Sequence, residues 1–101
     1  CRVCRPPPER MPHMNEKDFE KELLAEGFSG IFVHRDGPGA RYPDHTHGGV
    51  TAHVVLEGEI TITSEGQTVT YGPGERFDVP AGAVHSAVIG PLGCRYMIGE
   101  K

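Results

Sequence analysis

Two glycine-framed stretches decide how this chain is read. The first runs Gly39-Ala40-Arg41-Tyr42-Pro43-Asp44-His45-Thr46-His47-Gly48-Gly49-Val50-Thr51 and closes at Gly58. The second runs Gly74-Glu75-Arg76-Phe77-Asp78-Val79-Pro80-Ala81-Gly82-Ala83-Val84-His85. On an extended chain, side chains two apart point the same way, so His45 and His47 offer two imidazoles from one edge. Glycine and proline on either side hold such a segment to a short strand entering and leaving tight turns.

Working outward from these stretches, the chain from Phe28 onward reads as strand and turn. Short apolar alternations fall at Ile31–His34, Thr51–Glu57, Ile60–Thr63, Thr68–Tyr71, Phe77–Val79, Val84–Ile89 and Arg95–Ile98. Ser64-Glu65-Gly66-Gln67 is a hairpin signal, and Tyr71-Gly72-Pro73-Gly74 a tight turn. Many short strands and one helix indicate an all-β sandwich or barrel. The helix is expected over residues 15–27, with Asn15 as N-cap, Glu16 and Asp18 in the first turn, and Gly27 as the stop. Met14 and Phe19 occupy hydrophobic-staple positions, and Phe19, Leu23 and Leu24 form an apolar stripe for packing on the sheet. Val54 and Leu56 lie opposite His53 and Val55. One face of that strand therefore fills the interior, and the other needs cover from the helix or a second subunit.

Residues 1–14 are proline-dense and lack apolar periodicity, which reads as an extended or disordered leader; Met14 is a candidate start. Residues 15–101 are expected to form one domain. The Cys1-x-x-Cys4 pair stands outside any βα context and carries little weight as a redox or zinc motif. A net charge of −4, from 14 acidic and 10 basic residues, argues against a nucleic-acid partner. No apolar run reaches the ~18 residues of a membrane span, nothing resembles a signal peptide, and three cysteines fit a cytoplasmic address. Paired catalytic carboxylates, a nucleophile elbow and a phosphate loop are not found.

The two stretches resemble the paired motifs of the cupin superfamily, over roughly residues 35–98. The resemblance implies a small double-stranded β-helix, a jelly-roll barrel, with motifs at 39–58 and 74–89. It also places His45, His47 and His85 on metal-ligand positions. Two residues depart from the pattern: Thr51 stands where the family has Glu, and Ile89 where it has Asn. His53 shares the face of Thr51, two residues on, and is counted as a fourth ligand in place of the missing Glu; the alternatives are a partner of the ligands or a core histidine bonded to a neighbour. His13 and His34 read as ordinary surface or core histidines. Three or four neutral imidazoles suit one divalent transition metal (Fe, Mn, Ni, Zn or Cu) with coordination positions left open. Val55, Ala87, Ile89, Ile60, Ile62, Phe77 and Val79 should line a small apolar pocket, Tyr42, Tyr71 and Tyr96 should be barrel packing, and Arg41, Arg76 and Arg95 should be solvated. The implied function is a metal-dependent enzyme, oxygenase- or isomerase-like, on a small organic molecule. The alternatives are a non-enzymatic binding or sensory module, with or without metal, and a purely structural ion. A homodimer is expected.

Overall fold

Two long strands organise the molecule, and each absorbs segments that the sequence suggests are separate. A computed structural model describes residues 15–101. Its elements are α1 (Glu16–Ala25), β1 (Ser29–Asp36), β2 (Arg41–His45), β3 (Thr51–Ser64), β4 (Gln67–Tyr71), β5 (Arg76–Val79) and β6 (His85–Glu100). All pairings are antiparallel. The order is β1-β6-β3-β4, with β2 added on β6 and β5 on β3, which gives the small β-barrel expected. The leader, the Cys1/Cys4 pair, His13 and the Met14 half of the staple lie outside the described residues.

Strand β3 does not end at Glu57. It passes through register shifts at Val55/Glu57 and Gly58/Ile60 and continues to Ser64, always paired with β6. Gly58 makes this possible. Its φ is +77°, and a Cβ there would collide with the carbonyl oxygen of Gly93 on β6. Only glycine permits so close a crossing of two backbones. The β3–β4 turn has positive φ at both Glu65 (52°) and Gly66 (77°), the geometry whose twist matches a tight hairpin.

Alternation along β3 divides the core in two. Val55, Ile60 and Ile62 point into the barrel with Tyr71, Phe77, Ala87, Ile89 and Tyr96. Ala52 and Val54 point outward and are covered by Leu23, Phe28 and Met97. The helix therefore supplies the cover that this face needs. Leu23 is fully buried, and Phe19 packs at the edge of the same cluster. Leu24, placed in the stripe from the sequence, is 55% exposed and faces solvent. Asn15 and Asp18 form a reciprocal capping box. The far end closes through Gly27 at φ +94°, with Phe28 N donating to Leu23 O.

Arg41 is exposed as expected, but Arg76 and Arg95 are not simply solvated. Arg76 donates to both carboxylate oxygens of Glu26 (2.7 Å each) and to Asp78 (2.9 Å), and so ties the helix end to β5. Arg95 bridges Glu57 on β3 and Glu16 at the helix start. A planar guanidinium can serve two carboxylates at once, which a hydrophobicity pattern does not reveal.

Candidate metal centre

His45 is the last residue of β2, His47 follows in the loop, and His85 opens β6; His45 and His85 are register partners. His47 is therefore not on a strand, and loop geometry rather than strand alternation brings it to its neighbours. One ring nitrogen from each histidine lies within 4.8 Å of the other two. The ring centroids are 4.2 Å apart for His45–His85, 4.9 Å for His47–His85 and 5.0 Å for His45–His47.

Two of these rings are fixed in one tautomer. His45 Nδ1 lies 2.8 Å from the carbonyl of Pro43, and His85 Nδ1 lies 3.2 Å from that of Ala83. A carbonyl only accepts, so each Nδ1 carries the proton and each Nε2 keeps its lone pair. The same arrangement orients metal-bound histidines, where the outer nitrogen donates to a backbone carbonyl. Burial holds the pKa of His47 and of His85 below the ordinary value, with the neighbouring histidines adding to the effect. Imidazoles with free ring nitrogens, drawn together without acidic partners in the group, suit a borderline cation.

His53 sits deeper, buried on β3 and stacked on Phe77 at 4.5 Å and 6°. Burial pushes its pKa down to about 4, so it is neutral at physiological pH. It lies outside the converging trio, yet its Nδ1 is buried with no hydrogen-bond partner. Thr51 Oγ1, two residues away on the same face, is likewise buried and unpartnered. Such orphans are uncommon in folded proteins. Ile89, at the other departure from the motif, is simply part of the interior cluster.

All four histidines border one cavity of about 290 Å³, lined on its apolar side by Phe32, Ile60, Ile62, Phe77, Ala87 and Ile98. A larger groove of about 480 Å³ on the β4–β5 side shares Ile62 and Phe77 but carries none of the histidines. The cavity also contains chemistry that the sequence reading missed. Asp36, 9% exposed at the end of β1, accepts from the Tyr42 hydroxyl, the Tyr96 hydroxyl (2.8 Å) and His34 Nε2 (2.9 Å). Those three bonds outweigh the cost of its burial and keep its carboxyl below the usual range. Bonding to this carboxylate raises the Tyr42 pKa, and burial together with the same bond raises that of Tyr96. Tyr71 is barrel packing as expected, whereas Tyr42, Tyr96 and His34 are not bystanders. The signal that could have found this knot is the i, i+2 pair His34 and Asp36, which share one face of β1.

The family model described as "Cupin domain" matches residues 32–90. This chain belongs to the cupin family. Solved structures agree with that placement. A Rhizobium leguminosarum protein of unknown function is 28% identical, with TM-score 0.65 over 69% of this chain and 66% of its own. An RmlC-like cupin from Shewanella frigidimarina is 26% identical, with TM-score 0.63 over 69% of this chain and 62% of its own. The DMSP lyase DddQ of Ruegeria pomeroyi shares the fold at 24% identity and TM-score 0.65, over 70% of this chain and only 36% of its own. This cupin thus spans less than two thirds of each of these chains. No curated protein matches it significantly. No helix among the described residues is long and apolar enough to cross a membrane.

Proposed function

We propose that this cupin binds one divalent transition metal through His45, His47 and His85, with His53 as an inner fourth donor. We further propose that it acts as a metal-dependent enzyme on a small, largely apolar organic molecule. The convergence of three imidazoles, two of them tautomerically fixed by backbone carbonyls, carries this reading. The orphaned Nδ1 of His53 supports the fourth role. When bound, the ion would supply Lewis-acid polarisation of a substrate oxygen or, for a redox metal, access to O₂ chemistry. The cavity walls contribute shape: about 290 Å³ admits roughly ten water-sized volumes, which favours a compact ligand. Phe77 and Ile60 present apolar surface there, and the histidines the polar contrast. Exposed Phe32 and Leu92 suit a homodimer, which sedimentation at tens of micromolar would reveal.

Elemental analysis and titration calorimetry test the site. His47→Ala and His85→Ala are each expected to abolish stoichiometric metal binding while the barrel persists; full metal content in either would overturn the assignment. His53→Ala should weaken binding, and Thr51→Glu in that background should restore much of it by adding an oxygen donor two residues away. Normal binding by His53→Ala would leave three histidines and solvent as the ligand set. Turnover of small diketones, thiols or sugars by the metal-loaded protein would separate an enzyme from a binding module.

A further inference from the structure

The Asp36 knot is more than a closed structural network, because one of its members, His34, also lines the cavity and keeps a ring nitrogen unpaired among the described residues. The Asp36 carboxylate can only accept, so His34 Nε2, at 2.9 Å, carries the proton. In the neutral ring the lone pair is then on Nδ1, which has no partner among the described residues. The side chain is 42% exposed and borders the same cavity as the four metal-site histidines. Asp36 is itself pinned through both oxygens by hydroxyls from two other strands, Tyr42 on β2 and Tyr96 on β6. Tyr96 also meets the His34 ring edge-on, at 5.6 Å between centroids. A base whose second nitrogen is held by an oriented carboxylate is the arrangement that general-base catalysis uses.

We propose that His34 is the general base and acid of this cavity, with Asp36 as its positioning residue, and that the substrate class is a small, neutral carbonyl compound with an acidic C–H bond beside the carbonyl. The proposal rests on the reading of the cavity as a reaction site. In the step, His34 Nδ1 takes the proton and the C–H electron pair moves into the carbonyl to give an enolate. The imidazolium formed is held by Asp36, and it returns the proton to the same carbon, so the net result is exchange of that hydrogen. Every atom and electron is accounted for without a further reactant: the step is an enolisation that exchanges one hydrogen. The groups facing His34 that can titrate or carry charge are Asp36 on its own strand, Tyr42 on β2, Tyr96 on β6 and the four histidines across the cavity.

The experiment uses the full chain, loaded with zinc, and hydroxyacetone in D₂O, with loss of the methylene proton signal followed by NMR. Wild type is expected to exchange faster than the protein-free control. His34→Gln, whose amide can keep the bond to Asp36, should fall about 100-fold or to background. Asp36→Asn should fall at least about tenfold and shift the pH profile of the exchange. Long-range ¹H–¹⁵N spectra of metal-free, histidine-labelled protein should show His34 as the Nε2–H tautomer in wild type and as a mixture in Asp36→Asn. If Asp36→Asn does not fold, His34→Gln alone decides. Exchange at the background rate in wild type, or unchanged in His34→Gln, overturns the proposal even where zinc binds stoichiometrically. His34-dependent exchange in a protein that fails to bind zinc would instead remove the metal reading and leave this one standing.

Discussion

Two polar clusters share one cavity, and they are satisfied in opposite ways. At the Asp36 knot, one acceptor meets three donors, and the account closes within the chain. At the histidine end, His45, His47 and His85 bring ring nitrogens together, and Thr51 Oγ1 and His53 Nδ1 are buried without a hydrogen-bond partner. A buried polar group without a partner costs about 1–3 kcal/mol. The first cluster is satisfied around Asp36 within the barrel, whereas the second leaves buried polar atoms unsatisfied among the described residues. The contrast separates a group that stabilises the fold from one that is kept at some cost to it.

The sharpest way to break this contrast is Asp36→Ala. It leaves two hydroxyls and an imidazole without their acceptor, and should cost about 3–5 kcal/mol in a denaturant titration, comparable with breaking a buried pair. Next comes acid. His53 has a pKa of about 4 in the fold against 6.5 when free, so the unfolded chain takes up the proton first. Stability of the metal-free protein should be complete above pH 6.5 and fall as pH drops, the loss from this residue approaching about 3 kcal/mol near pH 4. His53→Phe should remove that slope. The lowered carboxyl of Asp36 acts only at still lower pH, beneath its usual 3.8.

Thr51→Val should have a smaller effect and the opposite sign. Replacing an orphaned buried hydroxyl with a methyl should stabilise the metal-free protein by about 1 kcal/mol, read as a rise in Tm. The smallest change in stability belongs to His47→Ala, expected within about 1 kcal/mol in the absence of metal because the residue is only half-buried. If His47→Ala unfolded the apoprotein as readily as Asp36→Ala, the histidine end would be structural and the contrast would fail.

Much of the histidine end was legible in the sequence. Gly39, His45, His47, Gly58 and His85 stand at fixed spacings, and a spacing is visible in one dimension. Their convergence followed once β2 was laid on β6, with His45 opposite His85. The Asp36 knot was not legible, because its four members lie on three strands and meet only through the barrel's closure. Tyr42 and Tyr96 carry the same apolar signal as Tyr71, and only the position of Asp36 distinguishes them. Strand lengths were misjudged for a related reason. Gly58 and the Gly90-Pro91 segment punctuate the sequence, yet β3 and β6 pass through them as bulged ribbons.

The pairing of β3 with β6 has a kinetic meaning as well. The register runs from Ser64 opposite His85 out to Thr51 opposite Glu100, so the loop closed by each successive pair grows steadily longer. The tight turn at Glu65 and Gly66 joins β3 to β4 and is the cheap place to begin; β6 then adds to the other edge of β3 from Ser64 opposite His85, and reaches His53, opposite Ile98, only near the far end. His45 joins through β2, a separate strand that must dock on β6 afterwards. The histidine pocket is thus among the last parts of the molecule to be completed during folding, and the proposed metal uptake would clock the end of folding rather than its start.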